Sequence, residues 1–94
     1  MNTKQKMSNL ALPTIHLNGS GKQNLYDQFS DATEALRKAL ETIREMNPHM
    51  RDYYTQNDCT TEFNKATEKH RARVLKVTEV KEEIEEIFHS IDWE

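Results

Sequence analysis

Three groups of side chains in this 94-residue sequence are of types that could do chemistry. The first is Arg51-Asp52-Tyr53-Tyr54. Arginine presents a planar five-donor fork that matches phosphate or carboxylate, and tyrosine offers a flat ring for a base together with a hydroxyl. Adjacent Tyr53 and Tyr54 cannot face the same way in an extended chain, so one should pack on the protein while the other reaches outward. Local pairing of Arg51 with Asp52, both tyrosines covering the end of a core, is the alternative. The second group is Thr14-Ile15-His16-Leu17-Asn18-Gly19. Its alternation sets Ile15 and Leu17 on one side, and His16 and Asn18 on the other. The polar side could supply hydrogen bonds to a ligand, and it equally matches ordinary edge-strand polarity. The third is Gly19-Ser20-Gly21-Lys22, where helix-start amides and Lys22 could contact an anion. A Walker-type phosphate loop would need glycine at position 16 and Ser or Thr at 23. This chain has His16 and Gln23, so nucleotide hydrolysis through that loop is excluded.

No catalytic constellation accompanies these groups. Glu86-Ile87-Phe88-His89 has the Glu-x-x-His spacing of di-iron bundles, but such sites need two copies and two further inward carboxylates. Cys59 has no sequence context that demands a nucleophile, and four scattered histidines make no Ser/His/Asp arrangement. The expectation is a non-enzymatic protein without cofactor or metal. Charge is unevenly spread along the last third. Residues 79–94 carry seven acidic residues against Lys81, six net negative charges, after a basic stretch of Lys65, Lys69, Arg71, Arg73 and Lys76. The acidic half, with Glu82, Glu83 and Glu86, is an alternative partner surface. Antiparallel or head-to-tail pairing of such dipolar helices between subunits would neutralise both halves.

Two helices must position these groups. Residues 1–9 are polar and unpatterned, a frayed leader before a single domain over 10–94. Pro13 bars a helix, so residues 12–18 form an extended segment. Ser20 and Gln23 have capping-box spacing at the start of a helix over 21–46. Leu25, Phe29, Ala32, Leu36, Ala39, Ile43 and Met46 recur at steps of four and three, a heptad seam that Leu40 widens. Asn47-Pro48 ends it. A second helix over 61–91, capped near Asp58 to Thr61, carries Phe63, Ala66, His70, Val74, Val77, Val80, Ile84, Ile87, Phe88 and Ile91. Its seam is broken where Arg73 takes a position that strict heptads give to a hydrophobe, and Leu75 points off it. The pattern predicts an all-α, antiparallel two-helix hairpin. Its 47–60 connection exceeds the two to eight residues common in bundles, which marks the Arg-Asp-Tyr-Tyr loop as functional.

Composition bounds the partners. Hydrophobic content of 35% and charged content of 31% leave a two-helix monomer one thin apolar seam, which favours a homodimer or larger oligomer. A net charge of −3 argues against nucleic-acid binding. The single cysteine, without a signal peptide, fits a reducing cytoplasm, and no apolar run spans a membrane. In an antiparallel hairpin His16 and Arg51 lie at opposite ends, so they share a pocket within one subunit only if the N-terminal segment runs back along the helix, and meet easily across subunits.

The run Leu12-Pro13-Thr14-Ile15-His16-Leu17-Asn18-Gly19, the Leu- and Ala-rich helix and Arg51-Asp52-Tyr53-Tyr54 resemble a family of small phage- and prophage-encoded proteins. Members often place Pro-Asn-Gly before Arg-Asp-Tyr-Tyr; here Pro48-His49-Met50 replaces the Asn-Gly turn. The resemblance implies a protein acting in the bacterial host cytoplasm by stoichiometric binding. The expected function is antagonism of a host factor through a nucleotide-like defence signal, with Arg51 on phosphate, one of Tyr53 and Tyr54 on a base, and His16, Asn18 and Lys22 completing the site. The alternatives are inhibition of a host defence protein through the acidic helix end, and an accessory role in phage DNA replication or recombination through Lys65, Lys69, Arg71 and Arg73.

Overall fold

In the computed structural model, which describes residues 10–16, 19 and 21–93, two helices form an antiparallel hairpin. Helix α1 spans Lys22–Glu45 and helix α2 spans Cys59–Ser90, with a 3₁₀ turn at Met50–Asp52 between them. The start of α1 meets the end of α2, where Tyr26 and Phe29 touch Phe88. Among the described residues there is no strand, and residues 11–16 lack regular structure. The leader, Leu17, Asn18 and Ser20 lie outside the described residues. The hairpin is elongated, with extents of 63 × 29 × 15 Å and a radius of gyration of 19.1 Å, against roughly 12 Å for a compact chain of this length.

Helix α1 forms for the reasons its sequence gives. Leu25, Phe29, Ala32, Leu36, Ala39 and Ile43 are half-buried and Leu40 is buried, a stripe at heptad spacing. Met46, assigned to the same seam, is instead exposed, because the helix has already tightened there. The amide of Met46 donates to Ile43 O at 3.0 Å and that of Asn47 to Arg44 O at 3.2 Å, before Pro48 prevents continuation. The Ser20 half of the expected capping box lies outside the described residues. Gly21 occupies the N-cap without a side-chain cap, and Gln23 turns forward to donate to Asp27 Oδ1 at 2.9 Å. On the solvent face Arg37 bridges Glu34 and Glu41. Its hydrogen bond holds the Glu34 carboxyl below the usual carboxylate range.

Helix α2 begins two residues before the expected Thr61 and ends one residue before Ile91. Asp58 holds the N-cap, again without a side-chain cap bond. Its seam also has a different register. Phe63, Thr67, His70, Val74, Val77, Lys81, Ile84, Phe88 and Ile91 follow steps of four and three without a break, and all are half-buried or buried. Thr67 and Lys81 thus occupy seam positions, in register with Val74 and Val77. Val80 turns outward and is 48% exposed. Val74, and not the exposed Arg73, holds the position between His70 and Val77. Lys81 tolerates its place because its ammonium reaches Glu85 at 2.9 Å while its stem lies along the seam.

Aromatic contacts close both ends. At one pole Tyr26, Phe88 and Trp93 pack with ring centroids 5.0–5.5 Å apart. The Trp93 indole donates to Phe88 O at 3.0 Å, satisfying a carbonyl that the helix end would leave open. At the other pole Tyr53 meets Phe63 edge-on at 6.0 Å. We expect Trp93→Ala to lower stability by about 2–3 kcal/mol, since it removes both ring packing and a carbonyl partner. Leu75→Ala, at a 57% exposed position, should change it by less than about 0.5 kcal/mol. Urea denaturation followed by circular dichroism measures both.

Candidate ligand-binding site

The connection between the helices is a series of hydrogen-bonded turns. Asp52 N donates to His49 O at 3.0 Å, Tyr53 N to Met50 O at 2.9 Å, and Gln56 N to Tyr53 O at 3.0 Å. The 3₁₀ turn packs on α2. This geometry divides the tyrosines as their adjacency requires: Tyr53 is half-buried against Phe63, while Tyr54 is 66% exposed. Arg51 is exposed and, among the described residues, makes no hydrogen bond or ion pair, so local pairing with Asp52 is not its state.

Beside these turns lies an open cleft of about 510 Å³ between the connection and the first half of α2. Met46, Asn47, Pro48, Asp52 and Tyr53 line it from the connection, and Glu62, Lys65, Ala66, Lys69, His70 and Arg73 from the helix. Lys65, Lys69 and Arg73 are spaced i, i+4 and i+8, which places three cations on one stripe facing the cleft. Lys65 contacts Glu62 at 3.4 Å; Lys69 and Arg73 have no ion pair among the described residues. A second cleft of about 330 Å³ is lined by Arg44, Asn47, Thr67, His70, Arg71 and Val74. Asn47 and His70 belong to both, so the imidazole forms the partition between them.

The partition is chemically unusual. His70 is only 8% exposed and has no hydrogen-bond partner among the described residues. One turn away, the buried Thr67 Oγ1 is also unpartnered. Thr33, Thr42 and Thr78, by contrast, each donate to the carbonyl four residues earlier, at 2.8, 3.1 and 2.8 Å. Buried polar groups in native proteins are almost always satisfied, so the unpartnered Thr67 hydroxyl, next to an imidazole whose nitrogens still reach solvent, marks this part of the seam.

The other sequence-derived candidates lie elsewhere. The His16 ring rests against Gly19, where a Cβ would stand 2.8 Å from His16 Nε2 and would make the exposed ring shift. Lys22 is the exposed first residue of α1. Both therefore belong to the pole opposite Arg51, separated by a helix of 24 residues, about 36 Å. Within one chain His16 and Arg51 do not meet, and Asn18 lies outside the described residues. Glu82 and Glu83 are exposed on the distal half of α2, whereas Glu86 is half-buried and already engaged. Cys59 is the half-buried first residue of α2. Among the described residues no three His, Cys, Asp or Glu side chains cluster to hold a metal ion, and no helix is long and apolar enough to cross a membrane.

Among the described residues expected to bind a ligand, only Tyr53 lines the cleft. Lys65, Lys69, Arg73 and His70 were the ones sequence reasoning left out of the site; the four-residue spacing of the cations was the signal that could have found them. Comparison with protein-family models, curated proteins and solved structures found no match. Thr67→Val, which removes an unpaired buried hydroxyl and keeps the side chain's shape, should leave stability unchanged or raise it by about 1 kcal/mol. The shift of the urea midpoint measures this.

Proposed function

We propose that this protein is a non-enzymatic binding protein that holds a nucleotide-like, anionic small molecule at the loop pole. The observation that carries the reading is the pairing of an unpartnered, exposed Arg51 and a 66% exposed Tyr54 with a cation-lined cleft next to them. An arginine fork suits phosphate, an outward ring suits a base, and nothing at this pole supplies a nucleophile or an acid–base pair. By its resemblance to phage-encoded proteins, the chain would act in an infected bacterium by sequestering a host defence signal. It would do so as a homodimer or larger oligomer. The elongated hairpin leaves Leu75 57% and Val80 48% exposed on separate flanks of α2, and burial of either flank against a copy would add to the core that one seam lacks.

A second reading places function on the acidic half of α2, where Glu82 and Glu83 are exposed amid six net negative charges in residues 79–94. In that case the protein would occupy a basic host partner.

Native mass spectrometry of protein purified gently from bacterial cells separates the two. The expected result is an oligomer carrying extra mass that denaturation releases, with the extra mass lost in Arg51→Ala while helicity and assembly persist. A bare oligomer whose activity survives Arg51→Ala and fails on charge reversal at Glu82, Glu83 and Glu86 would overturn the ligand reading in favour of the acidic surface.

A further inference from the structure

We infer that the clefts on either side of His70 form one seat for a phosphate-type oxyanion, with the His70 imidazole as its buried donor and Lys69 and Arg73 as its charge partners. The inference deepens the ligand reading above and rests on the same pole of the hairpin, but on different residues.

No protein group among the described residues pairs with the His70 ring. His70 sits at a seam position that a hydrophobe would fill, and it is more than nine-tenths buried. An imidazole carries at least one N–H donor in every protonation state. Among the described residues nothing accepts from it, yet the ring borders open volume on both sides. A donor at this position, reached by water from the clefts, is available to an acceptor that enters and displaces that water.

The surroundings specify the sign of that entrant. Lys69 and Arg73 stand one helical turn apart on the wall of the larger cleft without ion pairs among the described residues. Arg44 and Arg71 line the smaller cleft, equally without them. Facing these are the carboxylates of Asp52 and Glu62, and Glu62 already contacts Lys65. Cations therefore outnumber anions around His70 in a chain whose net charge is −3. Such a concentration of unpaired positive charge around a buried donor fits an anion and disfavours a metal ion or an apolar ligand.

Size and geometry narrow the class. A guanidinium fork with an ammonium one turn away matches the several oxygens of a phosphate group. A cleft of about 510 Å³ exceeds what one phosphate fills, so a phosphate ester or diphosphate is accommodated, with Tyr53 on the same wall to meet the remainder of the molecule.

The test is a titration of the full-length, isotopically labelled chain with inorganic pyrophosphate, followed by NMR at the His70 ring nitrogens and at the amides of Lys69 and Arg73. The expected result is saturable shifts at all three residues. The dissociation constant should rise at least tenfold in His70→Phe, which fills the seam but cannot donate. In case that variant fails to fold, Lys69→Gln with Arg73→Gln, both at exposed positions, should abolish the shifts with helicity unchanged. Shifts that grow linearly without saturating, or that sodium chloride reproduces at equal ionic strength, would overturn the seat, as would unaltered affinity in the double variant. The two readings fail separately. Saturable pyrophosphate binding at His70, with the cell-derived ligand retained in Arg51→Ala, removes the role of Arg51 alone. An Arg51-dependent ligand with no pyrophosphate response at His70 removes the seat alone.

Discussion

Everything in this hairpin depends on a single seam between two helices. A two-helix unit has one internal face, and here that face is interrupted on the α2 side by Thr67, His70 and Lys81. Among the described residues Leu40 and Ile91 are the buried hydrophobic side chains, so the apolar area removed from water along the middle of the seam is small. The stronger contacts lie at the ends. Tyr26, Phe29, Phe88 and Trp93 close one pole, and Tyr53 on Phe63 closes the other. Rings contribute large areas and add a geometric preference for tilted contact. The hairpin is held like a strip fastened at both ends, with a polar interval near the loop.

That interval is where stability and recognition compete. A leucine at position 70 would extend the apolar seam; a histidine there buries less apolar surface and keeps a donor available to whatever enters the adjoining clefts. Binding to the native state alone then adds stability by mass action. The cost of the polar seam and the affinity of the seat are two aspects of one arrangement.

The sequence was most legible where one period runs unbroken. The α1 stripe from Leu25 to Ile43, its stop at Asn47-Pro48 and the excess length of the connection all follow from spacing and backbone sterics. The α2 register was harder because hydropathy prefers Ala66 to Thr67 and Val80 to Lys81, one residue off in each case. Strict heptad geometry, followed through polar residues, gives the register the helix adopts. Asp58 holds the second N-cap within the expected span, though without a side-chain bond, and Gly21 holds the first. The division of Tyr53 from Tyr54 was readable because adjacency forbids a common direction. The cleft was not, since its walls come from residues about twenty positions apart, and only the folded connection brings Asn47 and Tyr53 beside Lys69, His70 and Arg73. Trp93 gave no periodic signal, because it lies beyond the end of α2 and acts by folding back on Phe88.

The position of Trp93 has an optical consequence. It is the only tryptophan in the chain, packed 5.5 Å from the ring of Tyr26 and 5.5 Å from that of Phe88, at the pole away from the connection. Its emission therefore reports the integrity of that end, with Tyr26 close enough to pass excitation to it. Tyr53 and Tyr54, at the far end of a long hairpin, are poorly placed to contribute. Local openings need not coincide along so narrow an interface, so indole emission and backbone ellipticity need not trace the same curve as the molecule is warmed. A gap between the two curves would measure how independently the two ends let go.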